Sequence, residues 1–307
     1  MARRFLLVVL LACGAILGTL LLFNVLAHRQ GWTTWHFAYL FRYQTEKIDG
    51  VRGLEIDVVF LGDSSLGNSI SASHLTRVHG LTAANLALTG AYGFAGDLNM
   101  LRRVLRRMKP RLVVLMHTPH ALERPASHRG LVFSAEAFAD LAEAPAVAIV
   151  GAFLDIGTPL NVLAGIFTRS SRHKSRIQDD YVQQGARIDP PGSEGERGRA
   201  KVDASNLRYL SALGRLCQDQ GLRCIYLHGP YASPACEEKI ERLQAIDAAI
   251  REAGLLPAGG PLCIPPRDLG DAPDHVAPEA KVRFTDAYLR LLREVPQKAL
   301  PLPQGSQ

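Results

Sequence analysis

Two patterns of apolar residues divide the chain. Residues 5–27 form an unbroken apolar run behind Met1-Ala2-Arg3-Arg4, long enough to cross a bilayer as a helix. From Ile56 onward, short apolar runs alternate with segments apolar at three- and four-residue spacing, the pattern of buried strands and amphipathic helices. Residues 56–61 read as a strand and 83–88 as a short apolar stretch. Residues 93–108 read as a helix with Leu98, Leu101, Val104, Leu105 and Met108 on one face, ended by Pro110, and 112–116 as the next strand. The alternation resumes at Asn206. Leu207, Leu210, Leu213 and Leu216 mark a helix ending near Gly221, 223–228 a strand, and Ile240, Leu243, Ile246 and Ile250 a helix ending at Gly254. Leu262-Cys263-Ile264 reads as a short final strand, and a last helical stretch runs through Leu292. Strands separated by helices imply an α/β fold with a parallel sheet.

Residues 121–202 interrupt this rhythm and are read as an insertion after the third strand. Residues 145–167 are largely apolar but broken by Asp155, Gly157, Pro159 and Asn161. Such a break is costly in mid-bilayer, so a buried helical hairpin or a lid lying against the membrane is expected rather than a second span. Residues 169–176 are basic and 189–201 rich in Gly, Pro and charge, which predicts a mobile loop. The organisation is then an anchor at 1–30, a juxtamembrane segment at 31–54, one domain at 55–295 carrying the insertion, and a Pro-rich tail at 296–307, expected to be disordered. No internal repeat is visible.

Arg3 and Arg4 favour a cytoplasmic N-terminus, with the bulk of the chain outside. Leu10-Leu11-Ala12-Cys13 resembles a lipoprotein processing box, but the apolar run continues well past Cys13, so an uncleaved anchor is expected. Trp32, Trp35, Phe37, Tyr39, Phe41 and Tyr43 suit either an interfacial belt or the first packed segment of the domain. The balance of 35 Lys and Arg against 29 Asp and Glu fits a membrane surface or an anionic polymer, and no nucleic-acid-binding motif accompanies it. Arg102, Arg103, Arg106, Arg107 and Lys109 read as a solvated helix end favoured by the dipole. Of the five cysteines, Cys217, Cys224, Cys236 and Cys263 lie outside the apolar run. In an oxidising compartment an even number predicts two bridges. Cys217 ends a helix and Cys224 begins the next strand at one edge of the sheet, so Cys217–Cys224 and Cys236–Cys263 are the expected pairs.

The candidate chemistry centres on Gly62-Asp63-Ser64, where the first strand stops. A serine there stands at the carboxyl edge of the sheet, beside the free N–H groups of a starting helix. The same stretch would also serve as an ordinary capped turn. A nucleophilic serine needs a base, and the base an orienting carboxylate. Both are available at Asp271-Ala272-Pro273-Asp274-His275, a polar turn ahead of the last helix. Ser64 is the expected nucleophile, with Ser65 as runner-up, and His275 the expected base. Asp271 is the expected orienter ahead of Asp274, because a neighbour of His275 is badly placed to reach its Nδ1. Asn85, Gly90 and the backbone N–H of Ser64 are candidates for substrate positioning and the oxyanion. His117 and His120 form an H-x-x-H without a third ligand nearby, so no metal is expected there.

The order of Gly62-Asp63-Ser64, Gly90 after Asn85, and a late Asp with His275 resembles the SGNH/GDSL hydrolase superfamily over roughly 55–120 and 205–295. Two positions depart from its pattern: Ala272 stands three residues before His275, and His117-Thr118-Pro119-His120 replaces the block III asparagine. The resemblance implies a three-layer α/β/α, flavodoxin-like SGNH fold and a Ser–His–Asp site that needs no cofactor. Membrane-anchored members act as O-acyltransferases or esterases on cell-envelope polysaccharides, with a membrane-bound O-acyltransferase as acyl donor. That implies a single-pass protein of the bacterial inner membrane, its C-terminal domain in the periplasm and the acyl group expected to be acetyl. An esterase removing acyl groups and a non-catalytic polysaccharide-binding or scaffold protein are the alternatives.

Overall fold

The computed structural model describes residues 2–29, 45, 47–88, 90, 92–154, 188, 202–233, 236 and 240–295. The apolar N-terminus is one helix, α1 (Ala2–Arg29). Its segment Ala2–Leu26 is 25 residues long and largely exposed, with Asn24 buried near its end. At 1.5 Å per residue that is about 37 Å, enough to cross the ~30 Å hydrocarbon core.

Five parallel strands make the main sheet: β1 (Val58–Gly62), β2 (Ala83–Asn85), β3 (Leu112–His117), β4 (Arg223–His228) and β6 (Leu256–Pro257), in the order β2-β1-β3-β4-β6. Residues alternate between its two faces because successive side chains of a strand point opposite ways. Val59, Leu61, Val113, Leu115 and Tyr226 face one core, covered by α4 (Gly93–Leu105), α7 (Ala204–Asp219) and α8 (Ile240–Glu252). Val58, Phe60, Val114, Met116, Ile225 and Leu227 face the other, covered by α2 (Ser64–Ser69), α3 (Ala72–His79) and α9 (Lys281–Glu294). Both faces are therefore buried, which is why β1, β3 and β4 read as continuous apolar runs.

The fifth strand is not the expected one. Leu256–Pro257 completes the sheet, whereas β7 (Cys263–Ile264) pairs instead with β5 (Tyr231–Ala232) in a separate two-stranded ribbon. A two-residue strand with an exposed Leu256 carries no periodic signal. Both expected disulfides form, Cys217–Cys224 and Cys236–Cys263, and they fit an oxidising compartment.

The basic run on α4 is also corrected. Arg103 is fully buried, its Nε 2.8 Å from Glu136 and its guanidinium on Thr45. Arg102 grips Glu143 at 2.7 Å, Arg106 reaches Asp140 at 3.0 Å, and Arg107 reaches Glu136 at 3.0 Å. These acids belong to the insertion, near α5 (His128–Ser134), so the run fastens the insertion to the domain instead of facing water. Of residues 145–167, 145–154 are described and hold α6 (Ala146–Phe153), which contacts α1 and exposes Val147 and Val150. The rest of that stretch, most of 169–201, the aromatic residues from Trp32 to Tyr43 and the tail 296–307 lie outside the described residues. Ile188 donates its N–H to the carbonyl of Gly270, so the insertion passes one residue from Asp271.

Candidate active site

The chain leaves β1 for β2 on one side and returns across it to β3, so the strand order reverses between β1 and β3. Ligands of open α/β sheets bind outside the carboxyl ends of strands at such a point. Gly62 ends β1 with φ 155°, and a side chain there would collide with the carbonyl of Met116 on β3. Only glycine lets β1 turn away this close to its neighbour.

Asp63 caps α2, accepting the N–H of Ser65 at 3.0 Å, its hydroxyl at 2.5 Å, and the N–H of Thr118 at 3.1 Å. Ser65 is buried, with its hydroxyl committed to Asp63. The half-buried Ser64, by contrast, has a hydroxyl with no hydrogen-bond partner among the described residues. A six-residue helix leaves most of its carbonyls without helical partners. Asn68 donates to the carbonyl of Ser64 (2.8 Å), Ser69 to that of Ser65 (2.6 Å), Lys281 to that of Gly67 (2.6 Å) and Thr285 to that of Ser69 (3.2 Å). Lys281 and Thr285 thus brace the Ser64 helix from α9.

His275 stands on a closed turn. Gly270 donates its N–H to the carbonyl of His275 (2.8 Å), Ala277 donates to Asp268 (2.7 Å), and Leu269 bridges Val276. A side chain at Gly270 would sit 3.0 Å from the His275 carbonyl, a tight approach that glycine relieves. The turn is tied to β5, since Ala232 donates to the carbonyl of Pro273 (2.7 Å). Within it, His275 Nδ1 lies 2.8 Å from Asp271 Oδ1, while Asp274 lies 3.9 Å from Nε2. A carboxylate on Nδ1 fixes the tautomer that leaves Nε2 free to accept a proton. Asp271 therefore has the geometry of an orienter and Asp274 does not. Burial pushes the Asp274 carboxyl above its ordinary value; His275 opposes this, and the charge of Asp63 adds to it. Ser64 and His275 lie at the same edge of the sheet without a hydrogen bond between them.

The other expected residues fall differently. Asn85, at the end of β2, donates to the carbonyl of Ile70 (2.8 Å) and accepts the N–H of Ala87 (3.0 Å), so its amide is committed to backbone. Gly90 is exposed, with open space where a side chain would stand. His117 and His120 have separate partners. His120 lies 3.1 Å from Glu123 and edge-on to Tyr231, whereas His117 is buried against Phe94.

Sequence reasoning missed what holds His117. Its Nε2 makes a short hydrogen bond with Asp97 of α4, and its Nδ1 lies 3.5 Å from Asp63. Burial opposes the imidazolium, but the charges of Asp97 and Asp63 outweigh it and push His117 up to about 10. Burial likewise opposes the Asp63 carboxylate, and His117, Ser65 and Thr118 hold it below its ordinary value nonetheless. Asp97, with His117 as its main partner, is pushed up by burial. A signal was present: Asp97 is four residues before Leu101 and seven before Val104, a carboxylate on the apolar face of its helix.

The arrangement can carry nucleophilic chemistry with an open serine hydroxyl, an oriented imidazole on the same sheet edge, and a rigid buried layer beneath. No protein-family model matches the sequence, and comparison with curated proteins gives no match.

Proposed function

We propose that the chain is a membrane-anchored, extracytoplasmic O-acyltransferase of SGNH-like fold, moving an acyl group, expected to be acetyl, onto a cell-envelope or exported polysaccharide. The observation that carries the reading is the 2.8 Å Asp271–His275 pair on the turn ahead of α9, at the edge where β1 delivers the open hydroxyl of Ser64. The strand order β2-β1-β3-β4-β6 matches that of flavodoxin-like sheets and supports the fold assignment. The anchor helix and the two disulfides support an extracytoplasmic domain.

In this reading Ser64 Oγ attacks the acyl carbonyl while His275 Nε2 takes its proton and passes it to the leaving group. An acceptor sugar hydroxyl then gives its proton to Nε2 and attacks the acyl-enzyme, and as the Oγ–acyl bond breaks Nε2 returns that proton to Ser64 Oγ. Asp271 holds the imidazole and stabilises the imidazolium. The backbone N–H at the start of α2 is the nearest oxyanion donor in the sequence. The donor is a membrane-bound O-acyltransferase, which the anchor keeps within reach. A transferase must exclude water from the acyl-enzyme, and the insertion, fastened by the α4 arginines, is the element that would do it.

The test is to incubate the purified full-length protein in detergent with an activated acetyl ester and an acceptor oligosaccharide, measuring free acetate and acetylated sugar together. Acetylated sugar that disappears in Ser64→Ala supports transfer, and Ser64-dependent acetate alone would make the protein an esterase. If Ser64→Ala also leaves polymer acetylation in cells unchanged, the chain is a scaffold.

A further inference from the structure

A second constellation lies away from the Ser64 edge, where α3 meets α9. His74 and His79 stand on α3, and Asp286 on α9 projects between them. His74 Nε2 is 2.9 Å and His79 Nε2 2.8 Å from the same oxygen, Asp286 Oδ1. The two rings are edge to face with centroids 5.3 Å apart. One ligand atom from each residue falls within 4.8 Å of the others.

We infer that His74, His79 and Asp286 form a binding site for a first-row divalent cation, zinc above all, that staples α3 to α9. The donor set argues for this ion class. Two imidazole nitrogens and one carboxylate oxygen suit zinc, whereas calcium and magnesium take oxygen ligands. The atoms already converge. A tetrahedral ion with ligands at about 2.0–2.1 Å separates neighbouring ligand atoms by roughly 3.3 Å, so the pairs now at 2.8 and 2.9 Å need open by only about half an ångström. Exposure leaves room for a fourth ligand. The side chains are 12%, 21% and 35% exposed, respectively, so a water can reach the open side.

The position gives the ion a consequence. Asp286 follows Thr285, which accepts the N–H of Ser71 (2.9 Å) and donates to the carbonyl of Ser69 (3.2 Å), holding the short helix that begins at Ser64. A metal here closes the segment from Ser64 to His79 onto the C-terminal helix from both ends. The inference does not depend on the acyl chemistry proposed above.

The test uses the tag-free full-length protein in detergent, stripped with a chelator and dialysed. Zinc is titrated by calorimetry, cobalt(II) is added as a spectroscopic probe, and thermal unfolding is followed with and without zinc. One zinc per chain is expected, with an intense ligand-field band for cobalt and a higher unfolding midpoint in zinc. His74→Ala and His79→Ala should each weaken binding by more than the roughly 10–100-fold that loss of an outer-shell partner costs, and abolish the midpoint shift. Asp286→Asn keeps a hydrogen-bond acceptor for the histidines, so its metal-free unfolding should stay near wild type while zinc affinity falls. It also serves as the deciding variant should a histidine variant fail to fold. Zinc binding undiminished in Asp286→Asn, or a wild-type protein with neither stoichiometric binding nor a midpoint shift, would overturn the site.

Discussion

Two histidines with aspartate partners stand at the same end of the sheet, and their surroundings make them different instruments. His117 closes β3 under the surface, wedged between Asp97 and Asp63, so both ring nitrogens face carboxylates. His275, also buried, stands on a loop with Asp271 2.8 Å from Nδ1 and Asp274 no nearer to Nε2 than 3.9 Å. An imidazole hydrogen-bonded to Asp97 with Asp63 3.5 Å from its other nitrogen, and pushed up to about 10, keeps its proton across physiological pH and is a poor base. An imidazole held from one side keeps its other nitrogen for chemistry. An Asp–His contact therefore does not by itself mark a catalytic pair; how closely the second nitrogen is held also counts.

The largest expected effect separates the two by stability. His117→Ala leaves Asp63 and Asp97 buried without their cation, and breaking a buried pair this way costs about 3–5 kcal/mol. His275→Ala removes the hydrogen-bond partner of Asp271 on a turn and should cost less, about 1–3 kcal/mol. Denaturant unfolding of the full-length protein in detergent measures both, and equal losses would erase the distinction.

The pH dependence sharpens the same contrast. The folded value of His117 is raised above the ordinary 6.5, so its contribution to stability is fully present below that and is lost as pH rises through about 10. Asp63 is depressed, so its contribution is present above the ordinary carboxylate value and is lost as pH falls through the folded one. Unfolding midpoints should fall between pH 6.5 and 10, and His117→Gln should flatten that fall. A wild-type profile that is level over this range would contradict a charged His117.

Within the His275 turn the expected effect is on rate. Asp271→Asn should lower Ser64-dependent turnover by roughly 10²-fold, about 2.7 kcal/mol, by loosening the imidazole. Asp274→Asn should stay within about tenfold, since its carboxylate is 3.9 Å from Nε2. A larger loss at Asp274, in steady-state assays of both variants, would exchange their roles. The smallest effect concerns the strap on the insertion. Glu143→Gln weakens its pair to Arg102, which is partly exposed on both sides, and should cost about 1 kcal/mol. Limited proteolysis of residues 121–202 should accelerate with it, and an unchanged cleavage rate would detach the arginine run from that task.

What the sequence made legible follows the physics of each element. β3 and β4 could be read to within a residue because both faces of the strand are buried and the apolar run is continuous. The disulfide pairs could be read because helix end and strand start share an edge. β6 could not, being two residues at the sheet's margin. The arginine run was misread because its acids lie some thirty to forty positions away, where no local spacing reports them. The catalytic candidates Ser64, at the first position of α2, and His275 and Asp271, on a turn, lie where polar residues interrupt apolar runs and so show themselves. Asp97 sits inside an amphipathic helix, and only its place on the apolar face gave it away. Asn85 suited substrate binding by type and position, but a side-chain amide beside unpaired backbone is readily taken up by it.

The central claim is that Ser64 is a nucleophile served by His275, and covalent trapping tests it most directly. The full-length protein in detergent is treated with a fluorophosphonate, and its peptides are mapped by mass spectrometry. The account predicts one adduct, on Ser64, absent in Ser64→Ala and formed at least about 10²-fold more slowly in His275→Ala. An adduct on Ser65, equal labelling in His275→Ala, or no adduct on the folded protein would contradict it.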